Sequence, residues 1–212
     1  MQISQAIKEL KNSVKKTYIK TTKKLDKNIF RGYAEDMSSV IENSITLFIK
    51  NLLPSGYEFY IDPSITINSK LHRPDLLIVD TNKRVKAMLE IKANMGHCRN
   101  TKELVNKIWN NHKLFTKQHN LTCSFPIIKN GIKIGKGSKN VIYPKRVKCF
   151  LITYTQQNCS NNYHEKTYQL TKQKNIDYFK LFDGWYGNPT QLDINIFAKL
   201  LDNKFNRKEH KI

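Results

Sequence analysis

The stretch from Leu76 to Lys92 constrains the fold most. It reads LLIVD, then TNKR, then VKAMLEIK: two apolar runs parted by four polar residues. So short a joint implies an antiparallel hairpin. In the second run Val85, Ala87, Leu89 and Ile91 alternate with Lys86, Met88, Glu90 and Lys92. Successive side chains of a strand point to opposite faces. The first set is therefore expected in the core, with Glu90 and Lys92 side by side on the other face. Asp75 opens the first run. The start of one hairpin strand lies beside the end of the other, so Asp75 and Glu90 are expected to converge at one end of a sheet.

Other segments supply the layers around this hairpin. Residues 4–28 space Ile7, Leu10, Val14 and Tyr18 for a helix with a basic outer face. It is either a solvated helix packed on the core or an arm that touches a nucleic-acid backbone. Residues 33–53 carry the stripe Met37, Ile41, Ile45 (or Ser44), Phe48 and Leu52, between Gly32 and Pro54-Ser55-Gly56. YEFYIDP and SITINS read as short extended segments broken by Pro63. A helix is expected over 101–119, and a hairpin or flap over 124–143, with KNG and GKGSKN as turn signals. KCFLITYT (148–155) is apolar enough for a buried central strand. QQNCSNNYHEK (156–166) reads as a polar loop, FDGWYGNP as a turn, LDINIFAKLLDNKF as a helix, and NRKEHKI as a frayed tail.

The order helix, extended segment, hairpin, helix, strand, helix predicts an α/β (α+β) domain with a central mixed sheet flanked by helices. The expected organisation is one domain: a basic N-terminal helical arm over 1–30, a core over 31–155, and an extension over 156–212 packed on that core.

Charge narrows the partner. Lys and Arg number 37 and Asp and Glu 17, a formal net charge of +20. A fold does not need that excess, and self-repulsion makes it mildly unfavourable. From Leu104 to His164 there is no Asp or Glu, while lysines and Arg146 recur throughout. A surface of one sign suits phosphates, whose neutralisation releases counterions. A membrane-surface helix would be basic and amphipathic with aromatics opposite; this stretch has Gly, Asn and Pro punctuation instead. No apolar run is long enough to span a bilayer, and the charged start MQISQAIKELKNSVKK lacks the apolar region of a secretory signal. Cys98, Cys123, Cys149 and Cys159 are scattered without a CxxC pair, as expected of reduced thiols in a cytoplasmic protein.

Two carboxylates close together repel unless a cation sits between them. Mg²⁺ prefers oxygen ligands and suits phosphate chemistry. Asp75, Glu90 and the backbone carbonyl of Ile91 are the candidate ligands, and Lys92 can position or deprotonate an attacking water. Pro74-Asp75 followed by Glu90-Ile91-Lys92 resembles the PD-(D/E)xK motif of the nuclease superfamily that includes type II restriction endonucleases and Holliday-junction resolvases. The resemblance spans roughly residues 31 to 155. Other [DE]xK tripeptides occur at Glu9, Asp202 and Glu209, but none follows an apolar strand opened by Pro-Asp.

The resemblance implies a restriction-endonuclease-like core and a further carboxylate on an upstream helix. Glu35, in Gly32-Tyr33-Ala34-Glu35, is the first candidate; Glu42, two helical turns on along the same face, is the alternative. It also implies a Mg²⁺-dependent endonuclease of duplex DNA (Mn²⁺ substituting), most simply a homodimeric type II restriction enzyme. A structure-specific repair or junction nuclease and a non-catalytic nucleic-acid-binding module are the alternatives. Lys129, Lys133, Lys136, Lys139, Lys145, Arg146, Asn106 and Asn110 are the expected DNA contacts. GIKIGKGSK lacks the ending of a phosphate-binding loop and is expected to be a basic hairpin tip. The spacings of His97, Cys98, His112, His119 and Cys123 are too irregular for structural zinc. Trp185 and Tyr186 could stack on a base, though turn packing accounts for them as well.

Overall fold

The computed structural model describes residues 3–22, 37–95, 100–129, 132–155, 161–184 and 188–205. The helices are α1 (Ile3–Thr22), α2 (Met37–Leu52), α3 (Thr101–Gln118), α4 (Asn161–Gln173) and α5 (Gln191–Phe205). The strands are β1 (Glu58–Ile61), β2 (Ser64–Ile67), β3 (Lys70–His72), β4 (Leu76–Val79), β5 (Val85–Asn94), β6 (Asn120–Lys129), β7 (Ile132–Ile142), β8 (Lys148–Thr155) and β9 (Ile176–Lys180).

The main sheet has the order β1-β4-β5-β8-β9. Its first half is antiparallel; β5, β8 and β9 run parallel. The sheet is therefore mixed. Parallel neighbours need crossovers, supplied by α3 with the β6–β7 hairpin and then by α4. β4 and β8 are almost wholly buried, which explains why both read as continuous apolar runs.

The alternation of β5 sorts the core. Ala87, Leu89 and Ile91 join Ile41, Ile45, Phe48, Phe150 and Phe197 on the face covered by α1, α2 and α5. Met88 lies on the opposite face with Leu104, Val105, Ile108 and Phe115 of α3. Val85 departs from the expected pattern and packs with the second group. The register slips between Ile78 and Val79, so that Ile78 faces Ala87 and Val79 faces Val85. Such a bulge leaves one residue unpaired and re-aims its neighbours.

A second sheet, β3-β2-β6-β7, lies beyond the α3 face. The β2–β3 hairpin turns through Asn68 and Ser69, both at positive φ, the pair a two-residue turn demands. GKGSKN is no turn: Gly135–Asn140 lie within β7 and pair with β6. GIKIGKGSK is thus mostly strand rather than hairpin tip. The polar segment expected as a loop over 156–166 ends inside α4, which starts at Asn161. α1 is docked rather than detached: Ala6, Leu10 and Val14 are buried in the α2 core. Trp185, Tyr186, His97, Cys98, Cys159 and the tail lie outside the described residues.

Candidate active site

Asp75 directly precedes β4 and faces the end of β5. One of its oxygens accepts the Ile91 backbone N–H at 2.6 Å and the Lys92 ammonium at 3.4 Å. Lys92 Nζ also donates to Glu90 Oε1 at 2.9 Å. The sequence-predicted trio is thus gathered in one cluster. N–H and C=O of one strand residue point to the same side, so the Ile91 carbonyl lies on the Asp75 side. Glu90 is only 4% exposed, next to Met88 on the α3 face.

The electrostatics follow from this crowding. Burial, then the Glu90 charge, raises the Asp75 pKa, against Lys92 and the Ile91 N–H. Burial works against the Lys92 charge, but Glu90 and Asp75 outweigh it and hold its pKa above the usual range. Glu42, half-buried on α2, is pushed up to about 7, first by burial and then by Asp75, with Lys92 opposing. Asp62 and Glu90 add to the rise. Glu42 thus overlooks the cluster from the helix layer on the other side of the sheet. Glu35 lies outside the described residues.

Sequence reasoning missed two contributors. Lys107 of α3 donates to Glu90 Oε1 at 2.9 Å. The available signal was its place on α3 beside the buried Leu104 and Ile108. Asp62, at positive φ, donates its backbone N–H to the Asp75 carbonyl at 2.9 Å and brings a carboxylate within reach of Glu42. Nothing in DPS marks that role locally, because it depends on β1 ending beside β4.

The proposed DNA contacts divide. Of these, Lys136 lines a cleft of about 380 Å³ with Asp62, Ser64, Thr66, Ser124, Phe125 and Arg73, a cation outside the expected set. This cleft starts beside the carboxylate cluster, because Arg73 is two residues before Asp75. Lys139 is engaged elsewhere: it pairs with Glu58 at 3.1 Å and lies over the Tyr60 ring. Lys145 and Arg146 are exposed in the turn before β8, and Asn110 is exposed on α3, one turn past Lys107. Asn106 is half-buried, and the buried Asn111 bonds His72 instead. Lys129 and Lys133 lie at the end of the β6–β7 ladder, where Lys129 pairs Ile132 and Ile128 pairs Lys133.

Among the described residues, the imidazoles and thiols weighed for zinc are engaged or buried elsewhere. His112 bonds the Tyr143 hydroxyl, His119 its carbonyl, and Cys123 is buried in the core. Burial pushes the thiols of Cys123 and Cys149 up to about 12, so neither is a ready nucleophile. Among the described residues no helix is long and apolar enough to cross a membrane.

No protein-family model and no curated protein matches the sequence. Solved structures do share the fold over nearly the whole chain. NucC of P. aeruginosa ATCC27853 aligns with a TM-score of 0.51 and 13% identity, covering 96% of this chain and 92% of that one. NucC of E. coli MS115-1 aligns with a TM-score of 0.51 and 12% identity, covering 96% and 91%. Both were solved in a cAAA-bound form. At these identities the likeness is one of fold.

Proposed function

We propose that the chain is a Mg²⁺-dependent DNA endonuclease that hydrolyses phosphodiester bonds in duplex DNA. The observation that carries this is the convergence of Asp75, Glu90 and Lys92 at one strand end, with Glu42 facing the same cluster.

The donor set suits a hard divalent cation. Several carboxyl groups crowd a partly buried space, where burial first and then the neighbouring carboxylates raise Asp75 and Glu42. Asp75, Glu90 and the Ile91 carbonyl would hold the ion, with Glu42 as a further ligand or a partner of the water network. When bound, the cation supplies charge stabilisation at the reacting phosphate. Lys92, kept charged by Glu90 and Asp75, orients the attacking water through its ammonium group. Arg73 and Lys136 along the adjoining cleft hold the strand by its phosphates. Duplex substrate cut on both strands favours a homodimer, and sequence-dependent cutting would make it a type II restriction enzyme.

A second reading has one observation behind it. The near-complete fold match to NucC, solved with cAAA bound, favours a nuclease whose activity answers to cAAA rather than to a recognition sequence.

Plasmid incubated with protein and Mg²⁺ tests both. The wild type is expected to cut it, and Asp75→Asn and Lys92→Ala to lose about 100-fold or more in rate while still binding DNA. Equal cutting by the variants would sink the site. Discrete fragments without additive favour the restriction reading; cutting that requires cAAA favours the regulated one.

A further inference from the structure

One oxygen of Glu90 accepts two ammonium groups, Lys92 and Lys107, each at 2.9 Å. The two lysines together bring the charge of one divalent cation to the carboxylates. A divalent cation held by Glu90 would stand close to both ammonium groups, and like charges that close repel.

The geometry decides which ammonium yields. Lys92 is rooted on β5 itself, also contacts Asp75, and keeps 31% of its side chain exposed. Lys107 reaches in from α3, is 49% exposed, and pairs only with Glu90 among the described residues. The Glu90 side chain is 5% exposed and has no water-facing alternative. A lysine ammonium on a flexible four-carbon stem is easily redirected. Released from Glu90, it stays at the rim of the cluster, on the helix that carries Asn110 and opens the acid-free stretch.

We infer that Lys107 is an exchangeable counterion: it neutralises Glu90 until a divalent cation competes for that carboxylate, and then turns to the substrate phosphate. The inference rests on the metal-dependent nuclease reading and assigns Lys107 as a positioning residue of that site.

The test is calorimetric titration of MnCl₂ into full-length wild type, Lys107→Gln, Lys107→Arg and Asp75→Asn. It is paired with binding of a short labelled duplex in Ca²⁺ over a range of salt. Circular dichroism checks that each variant is folded. Lys107→Gln should bind Mn²⁺ about 3- to 10-fold more tightly, because one competitor is gone. Its log–log salt slope for DNA should fall by about one, the mark of one lost phosphate contact. Lys107→Arg keeps the charge and should stay near wild type in both. Weaker or unchanged Mn²⁺ binding in Lys107→Gln, or an unchanged salt slope, overturns the inference. If wild type binds Mn²⁺ through Asp75 and only the Lys107 effects fail, the site survives and Lys107 is a fixed clamp. If wild type binds no Mn²⁺, or Asp75→Asn binds it equally, the nuclease reading and this inference fall together.

Discussion

Glu42 is ordinarily a carboxyl of pKa 4.5 and here is pushed up to about 7, chiefly by burial and the Asp75 charge. The fold therefore favours its protonated form. A raised pKa contributes stability that is full below about 4.5 and is lost as pH rises through about 7. In chelator-treated protein, the melting temperature of wild type relative to Glu42→Gln should fall across that window and level off above it. Millimolar Mg²⁺ should flatten the fall, because a bound cation favours the ionised form. Parallel melting curves at every pH would show that Glu42 does not feel the cluster. Its role could not be read from spacing alone, since the sequence places Glu35 and Glu42 two turns apart along one predicted helix.

At the scale of elements, the β4–β5 turn rests on Asp80. Its carboxylate accepts the backbone N–H of Asn82 at 2.9 Å and of Arg84 at 2.8 Å, and pairs with Lys86 at 3.2 Å. Asp80 is 9% exposed, and its removal takes away the acceptor that the two turn N–H groups share. Asp80→Ala should lower the unfolding free energy by about 2 kcal/mol in urea melts. A loss under about 0.5 kcal/mol, the range of an ordinary surface change, would contradict this turn chemistry.

The hairpin itself was legible because both signals were local: a period of two and a short polar joint. The buried strand β8 was legible from its continuous apolar run. What local pattern could not carry was pairing between distant segments. GKGSKN reads as turn chemistry, yet its backbone is committed to a ten-residue ladder with β6, which overrides the preference of Gly and Asn. β9 hid because IDYFK is short and follows a polar helix. In the candidate site, Asp75, Glu90 and Lys92 were readable from strand alternation. Lys107 and Asp62 were not, because tertiary packing alone brings them in.

At the scale of the molecule, charge and layering agree. The acid-free stretch builds α3, β6, β7 and β8, so most of its cations lie on the α3 side of the main sheet, the side that Glu90 and Lys92 face. The carboxylates of the site come from segments before Thr101. The cluster sits where β5 and β8 end in parallel, the rim at which α/β sheets place ligands. A polyanion drawn to the basic layer is thereby delivered to that rim. The account stands on a divalent cation held there, and anomalous diffraction from Mn²⁺-soaked crystals tests this most directly. It predicts one strong peak bonded to Asp75, Glu90 and the Ile91 carbonyl, with Lys107 turned away from Glu90. No peak at millimolar Mn²⁺, with both ammoniums still on Glu90, would contradict it.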